Sequence, residues 1–339
     1  MGFSISAVIP VFNADAVTLS KCLSSICSQR EADFEVEGIV IFDGCPSSAV
    51  LDTVKRFRDF RFVEIEHGGV SAARNEGIEQ AIGKYLTFVD ADDELPQHAL
   101  KDLFTYAERH SCDVVQGAYD AVLPSSVEHH SYREVDEIFK DENLGVFQQD
   151  VLCPDKGVSL VWGKLFRRSF IVENGIHFDR EMEVSEDTAF VLDVCSRARI
   201  IGFTPSVVYR YIRNDSSAVS SYRSDYEDRI LKSIERMQDH VKHIPNSNLY
   251  QESFDSYVLF HLLLVQMHYL FNQSAPWSGK QRREQYEKTL RRTVFQDALK
   301  SSDYKGFSFA KRVSLHMLKF HLYQCSRFIS FVRHVQLSK

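Results

Sequence analysis

The chain has 339 residues, 44% of them hydrophobic and 26% charged, with a net charge of −7. That is enough apolar material to bury one large or two ordinary cores, which excludes a disordered chain. Residues 280–339 carry 14 Lys/Arg against 4 Asp/Glu, leaving a net of −17 on residues 1–279, and so acidic a body excludes nucleic acid as its partner.

Residues 5–11 are short, β-branched and followed by Asn13, which predicts a buried strand running into a loop. Leu19, Cys22, Leu23 and Ile26 recur at helical spacing within 17–30. A second strand is predicted at 37–42, a helix at 48–58 and a third strand at 61–65. A helix follows at 71–82, with Ser71 as N-cap and Gly83 as stop, then a strand at 85–89. Strands alternating with helices imply βαβ units, an α/β fold and a mostly parallel sheet. Ligands of such sheets bind beyond the carboxyl ends of the strands. That rule selects the loops after Asn13, at Asp43-Gly44, at 67–71 and at 90–93. A helix at 99–110 and a strand at 113–119 come next. The stretch 124–156 reads as an irregular lid or insertion, 157–222 as compact, and the chain beyond about 225 as helical.

Asp90-Ala91-Asp92-Asp93-Glu94 sets four carboxylates in five residues after a buried strand. Such crowding is costly without a cation, and oxygen-rich sites suit Mg²⁺ or Mn²⁺ with phosphate oxygens as further ligands. A solvated acidic turn gives the same pattern.

Three segments set the context. These are Val8-Ile9-Pro10-Val11-Phe12-Asn13, then Gly68-Gly69-Val70-Ser71-Ala72-Ala73-Arg74-Asn75, then Phe88-Val89-Asp90-Ala91-Asp92-Asp93. In order and spacing they resemble the family 2 glycosyltransferases of the GT-A fold. The likeness covers about 4–120 and returns at 162–168, 185–190 and 209–211. It implies a GT-A catalytic domain over 1–222, with a donor half at about 1–120 and an acceptor half at about 157–222. A helical domain with a basic tail would occupy 223–339. It also implies transfer of a sugar from a nucleotide-sugar donor to a glycan or lipid-linked acceptor. Pro10, Val11 and Asn13 would surround the nucleoside, and Asp43 would contact the base. Arg74 would reach the phosphates or sugar, Asp90 and Ala91 would line the ribose or sugar side, and Asp92 would ligate Mn²⁺ or Mg²⁺. The chain departs from the family's Asp-Asp-Gly-Ser by reading Phe42-Asp43-Gly44-Cys45, which bears on the choice of nucleotide.

Glu186-Asp187 begins an apolar helical run, and acidic residues after Ser185 would suit a helix cap. The resemblance implies a second role, with Asp187 as the general base that takes the acceptor's proton in an inverting displacement. Glu186, Trp162 and Lys164 would meet the acceptor, although a tryptophan is as often core.

Over 309–335, Val313, Met317, Phe320, Phe328, Phe331 and Val335 gather on one side of a helical wheel and basic residues on the other. Such a helix suits an anionic membrane surface, through 305–339, or simple packing on the catalytic domain. The seven cysteines form no CxxC pair and fit a reducing compartment. No secretion signal and no run of about 18 apolar residues is present, so a cytoplasmic location is expected, peripheral on the inner face of the plasma membrane if the tail binds lipid. A dinucleotide dehydrogenase would need GxGxxG after the first strand, and a sugar-phosphate nucleotidyltransferase a basic Gly-rich loop there; Pro10-Val11-Phe12-Asn13 is neither. A non-catalytic scaffold that kept the fold is the remaining alternative.

Overall fold

The computed structural model describes residues 3–31, 34–213, 222–301 and 303–337. The chain divides into two compact units, one of residues 1–151 with 157–213, the other of 152–156 with 214–339. Residues 214–221, beside the expected domain change near 222, lie outside the described residues.

In the first unit, β1 (Ile5–Val11), α1 (Ala16–Cys27), β2 (Val36–Asp43), α2 (Ser48–Val54), β3 (Phe60–Ile65), α3 (Val70–Gln80) and β4 (Tyr85–Phe88) alternate as predicted. β1 and β2 are buried along almost their whole length, as strands covered on both faces must be. Asp15 starts α1 by accepting from the Val17 and Thr18 amides at 3.0 and 2.9 Å. The start of α3 differs from the expectation. Gly69, at φ 84°, is the N-cap, no side chain caps the helix, and Ser71 lies inside it. Gly77 lets α3 lie against β1, since a Cβ there would stand 2.1 Å from Val8 Cγ1.

The first unit continues with α4 (Ala99–His110), β5 (Val114–Val122), β6 (Val127–His130), β7 (Glu137–Lys140), α5 (Leu144–Asp150), β8 (Lys164–Arg167), α6 (Arg168–Glu173), α7 (Glu186–Arg197) and β9 (Ile200–Ile212). The sheet runs β3-β2-β1-β4-β8-β5-β9-β7, with β6 on β5. All pairings among β3, β2, β1 and β4 are parallel. Beyond β4 the expectation of a mostly parallel sheet gives way. β8 enters antiparallel between β4 and β5, and β7 and β6 are antiparallel to their neighbours. The stretch expected as an irregular lid supplies β6, β7 and α5. Its strand pattern was hidden because β6 is exposed at every position and shows no alternation.

The second unit contains α8 (Tyr226–His243), α9 (Gln251–Val265), α10 (Gly279–Leu290), α11 (Thr293–Ser301), α12 (Phe309–Lys319) and α13 (Tyr323–Leu337). The single helix laid over 309–335 is in fact two. His321, at φ 54°, breaks it between α12 and α13. The Val335 side chain is outside the described residues.

Candidate active site

The parallel strands bring four loops to one edge of the sheet. Pro10 and Val11 end β1, and Asn13 turns the chain at φ 48°, a conformation asparagine tolerates. Asp43, at the end of β2, is 4% exposed. Its Oδ1 accepts from the Gly68 amide at 2.7 Å, its Oδ2 accepts from the Gly69 amide at 3.0 Å, and Oδ2 lies 2.9 Å from His67 Nδ1. The carboxylate expected to contact the base thus also holds the next loop. What this corner offers outward is a pair of rings, Phe12 stacked on His67 with centroids 4.5 Å apart.

Arg74 sits in the first half of α3 and is 3% exposed. Its Nη2 donates to Asp90 Oδ1 at 3.1 Å, and its Nη1 donates to Glu186 Oε1 at 3.2 Å and to Asp187 Oδ1. Its guanidinium also lies 5.3 Å from the Phe178 ring centroid. Expected to reach the donor's phosphates or sugar, it joins three carboxylates from two distant stretches of chain. Burial pulls its pKa down, but Asp187, Asp90 and Glu186 outweigh that and raise it, so the charge is fixed. Asn75, its neighbour, donates to the Phe178 carbonyl at 2.9 Å and accepts from the Phe178 amide at 2.8 Å. Phe178 stacks on Phe190 of α7 at 4.0 Å, so Asn75 steadies the helix that carries Asp187.

Glu186 and Asp187 form the first turn of α7. Ser185 precedes them at φ 67° and makes no side-chain cap, so capping by Ser185 does not explain the acidic pair. A non-glycine residue held there stores strain beside the site. Burial raises the Asp187 carboxyl to about 7, with Arg74 opposing and Glu186 and Asp90 adding to the rise. Three carboxylates around one guanidinium leave excess negative charge that disfavours full ionisation.

Asp90 to Asp93 do not act alike. Asp90 meets Arg74, and Ala91 is the half-buried residue beside it. Asp92 is exposed and bonds to no other residue among the described ones. Asp93 is 1% exposed, its Oδ2 accepting from the Tyr209 hydroxyl at 2.7 Å and its Oδ1 from the Ile212 amide at 2.8 Å. The same hydroxyl accepts from the Asp90 amide at 3.1 Å. Backbone bonds of 3.2 and 2.9 Å between Glu94 and Arg210 complete the tie to β9. Among the described residues, no three His, Cys, Asp or Glu side chains converge as a metal cage. One free carboxylate nevertheless fits a hard divalent ion that draws its other oxygens from phosphate.

Two acceptor expectations are corrected. Trp162 is 7% exposed, stacked on Tyr209 at 4.5 Å with Tyr119 edge-on, so its face is taken by the protein. Lys164 is 1% exposed inside β8, donates to the Leu160 carbonyl and is pushed down to about 7 by burial. Both lie in the core. Tyr209, Asp93, Phe12 and Phe178 take their roles from partners far along the chain, Asp93 with Tyr209, Phe12 with His67 and Phe178 with Asn75. For Tyr209 the available signal was a hydroxyl-bearing ring directly after the apolar Val207-Val208 pair.

The profile of glycosyl transferase family 2 matches residues 6–173, which spans the four loops and β8. The chain belongs to glycosyl transferase family 2. It is a glycosyltransferase. Among relatives, it is 24% identical over 267 residues to the uncharacterized glycosyltransferase EpsJ of Bacillus subtilis, covering 76% of each chain. It is 26% identical over 215 residues to poly(ribitol-phosphate) beta-N-acetylglucosaminyltransferase TarP of Staphylococcus aureus, covering 62% of this chain and 63% of TarP. The crystal structure of S. aureus TarS 1-349 in complex with UDP-GlcNAc shares the fold at TM-score 0.67 and 18% identity, covering 98% of this chain and 92% of that one. The GT-A architecture, a central sheet flanked by helices and followed by a helical region, is common to both.

Proposed function

We propose that the enzyme moves a sugar from a UDP-sugar to a glycan or lipid-linked acceptor, inverting the anomeric centre in one displacement. The observation that carries this reading is the Arg74 cluster, which joins Asp90 of the donor loop to Asp187 of α7. In the proposed step Asp187 takes the acceptor hydroxyl's proton as the oxygen bonds to the anomeric carbon and the bond to the diphosphate breaks. A base raised to about 7 is matched to that task near neutral pH. Asp92 would hold Mn²⁺ or Mg²⁺, which when bound supplies charge neutralisation to the departing diphosphate. Phe12, Pro10, Val11 and Asn13 frame the nucleoside corner, and Asp43 shapes it through His67 and the two glycines. The UDP-GlcNAc complex of TarS supports uridine, and the relatives that act on poly(ribitol-phosphate) support a cell-surface polymer as acceptor. We place the enzyme on the cytoplasmic side, peripheral to the membrane.

A thermal-shift screen of nucleotide sugars with and without Mn²⁺ tests the reading. A metal-dependent rise in Tm with UDP-sugars is the expected result. No metal-dependent shift with any nucleotide would overturn it.

A further inference from the structure

α13 is oriented against the usual rule. Its inward face carries Tyr323, Ser326 and Ser330, which are 7%, 0% and 1% exposed, while Phe328 and Phe331 point outward at 67% and 58% exposure. Hydrogen bonds pin this orientation. Ser326 Oγ lies 3.1 Å from the Tyr286 hydroxyl, and Gln266 Nε2 donates to Ser330 Oγ at 3.0 Å. Rolling the helix to bury its phenylalanines would strand those polar groups. Phe309 opens α12 and Phe320 is its C-cap residue, and both are exposed. Leu322 is exposed in the turn between the two helices.

Asp155 pairs with Lys311 and Glu287 with His321, and the remaining charge that this segment carries is positive. Residues 304–339 contain seven Lys/Arg and no Asp or Glu. Arg312 and Arg327 are exposed and form no ion pair among the described residues. No helix among the described residues is long and apolar enough to cross a membrane. Exposed aromatic rings framed by arginine are the chemistry of a surface that rests in the headgroup layer of an anionic bilayer. A second copy of this chain is a poor occupant, because it would bring the same uncompensated positive face against itself.

We propose that the outward face of α12 and α13, through Phe309, Phe320, Phe328 and Phe331 with Arg312 and Arg327, is a docking surface for anionic lipid. The assignment rests on the peripheral placement proposed above and names the surface responsible. It would hold the enzyme beside lipid-linked acceptors without a spanning segment.

Deleting the tail is a poor test, because Leu315 and Leu318 belong to the core of the second unit. The full chain is instead sedimented with phosphatidylcholine vesicles, with and without phosphatidylglycerol. Wild type binds only the anionic vesicles, and salt weakens the binding. Phe328→Ser with Phe331→Ser weakens it about tenfold or more, and Arg312→Gln with Arg327→Gln about fivefold or more. Wild type that ignores anionic vesicles, or a phenylalanine variant that binds like wild type, overturns the proposal. So does light scattering that shows an oligomer abolished by the phenylalanine changes without vesicle binding, which would make a second copy the occupant. Mn²⁺-dependent UDP binding is measured on the same samples. Its absence from wild type strikes the proposed UDP and metal reading and leaves the lipid surface standing.

Discussion

In the parallel half of the sheet, Asp43 reaches its partners in the adjacent loop, at Gly68 and Gly69. In the mixed half, Glu186 and Asp187 depend on Arg74, more than a hundred residues earlier in the chain. The first region is built by repeated βα units whose strand ends deliver side chains to one edge. The second is built by long-range ion pairs and ring stacks, which place a carboxylate only once the whole unit has folded. A site made this way keeps its binding loops and its reacting carboxylate on separate supports, and those supports can be removed one at a time.

The largest effect is expected at Asp187. Asp187→Asn keeps the shape and removes the base, so transfer falls by about 10²–10⁴ while donor binding stays. The same group sets the pH dependence. The raised Asp187 is protonated below about 7, so kcat falls as pH drops through that value, and a profile from pH 5 to 9 shows the acid limb. An acid limb near 4 would separate Asp187 from the chemistry.

Next comes the bridge between the two regions. Arg74→Ala leaves three carboxylates without their cation and lowers stability by about 3–5 kcal/mol in urea unfolding, with the lost activity following the lost fold. Tyr209→Phe removes a hydroxyl that bonds both Asp93 and the Asp90 amide, at a cost of about 1–3 kcal/mol. Its kinetic signature should be a raised KM for donor, because it loosens the loop and leaves Asp187 alone. A change in kcat only would contradict that division.

The smallest effect belongs to Cys45, which departs from the family pattern yet is exposed. Cys45→Ser should alter stability by less than about 0.5 kcal/mol. If it also changes the preference among nucleotides in the thermal-shift screen, the departure bears on base choice.

This contrast explains how much of the molecule the sequence discloses. β1 to β4 and their helices were legible because each is a local pattern of buried runs and breaks. The family motifs then brought Asp90, Asp92, Arg74 and Asp187 into one expected site, and the structure brings Arg74, Asp90 and Asp187 into contact. What could not be read was partnership. Asp43, Asp92 and Asp93 look alike in sequence, yet one holds a loop, one is free and one is buried against Tyr209. Trp162 fits an acceptor platform or a core position equally well in sequence, and Lys164 shows no sign of burial until the neighbouring strands cover both. The tail misled for a related reason. Its wheel crossed the break at His321, and the serines of α13 gave no hint that they face inward.

The proposed division of labour puts donor and metal at Asp92 and the acceptor's proton at Asp187. It is tested most directly by titrating UDP-GlcNAc into wild type, Asp92→Asn and Asp187→Asn with Mn²⁺, alongside UDP release in the presence of acceptor. Asp92→Asn is expected to lose metal-dependent binding, whereas Asp187→Asn binds as wild type and releases no UDP. An Asp187→Asn enzyme that still turns over, or an Asp92→Asn protein that binds the donor with undiminished metal dependence, would contradict it.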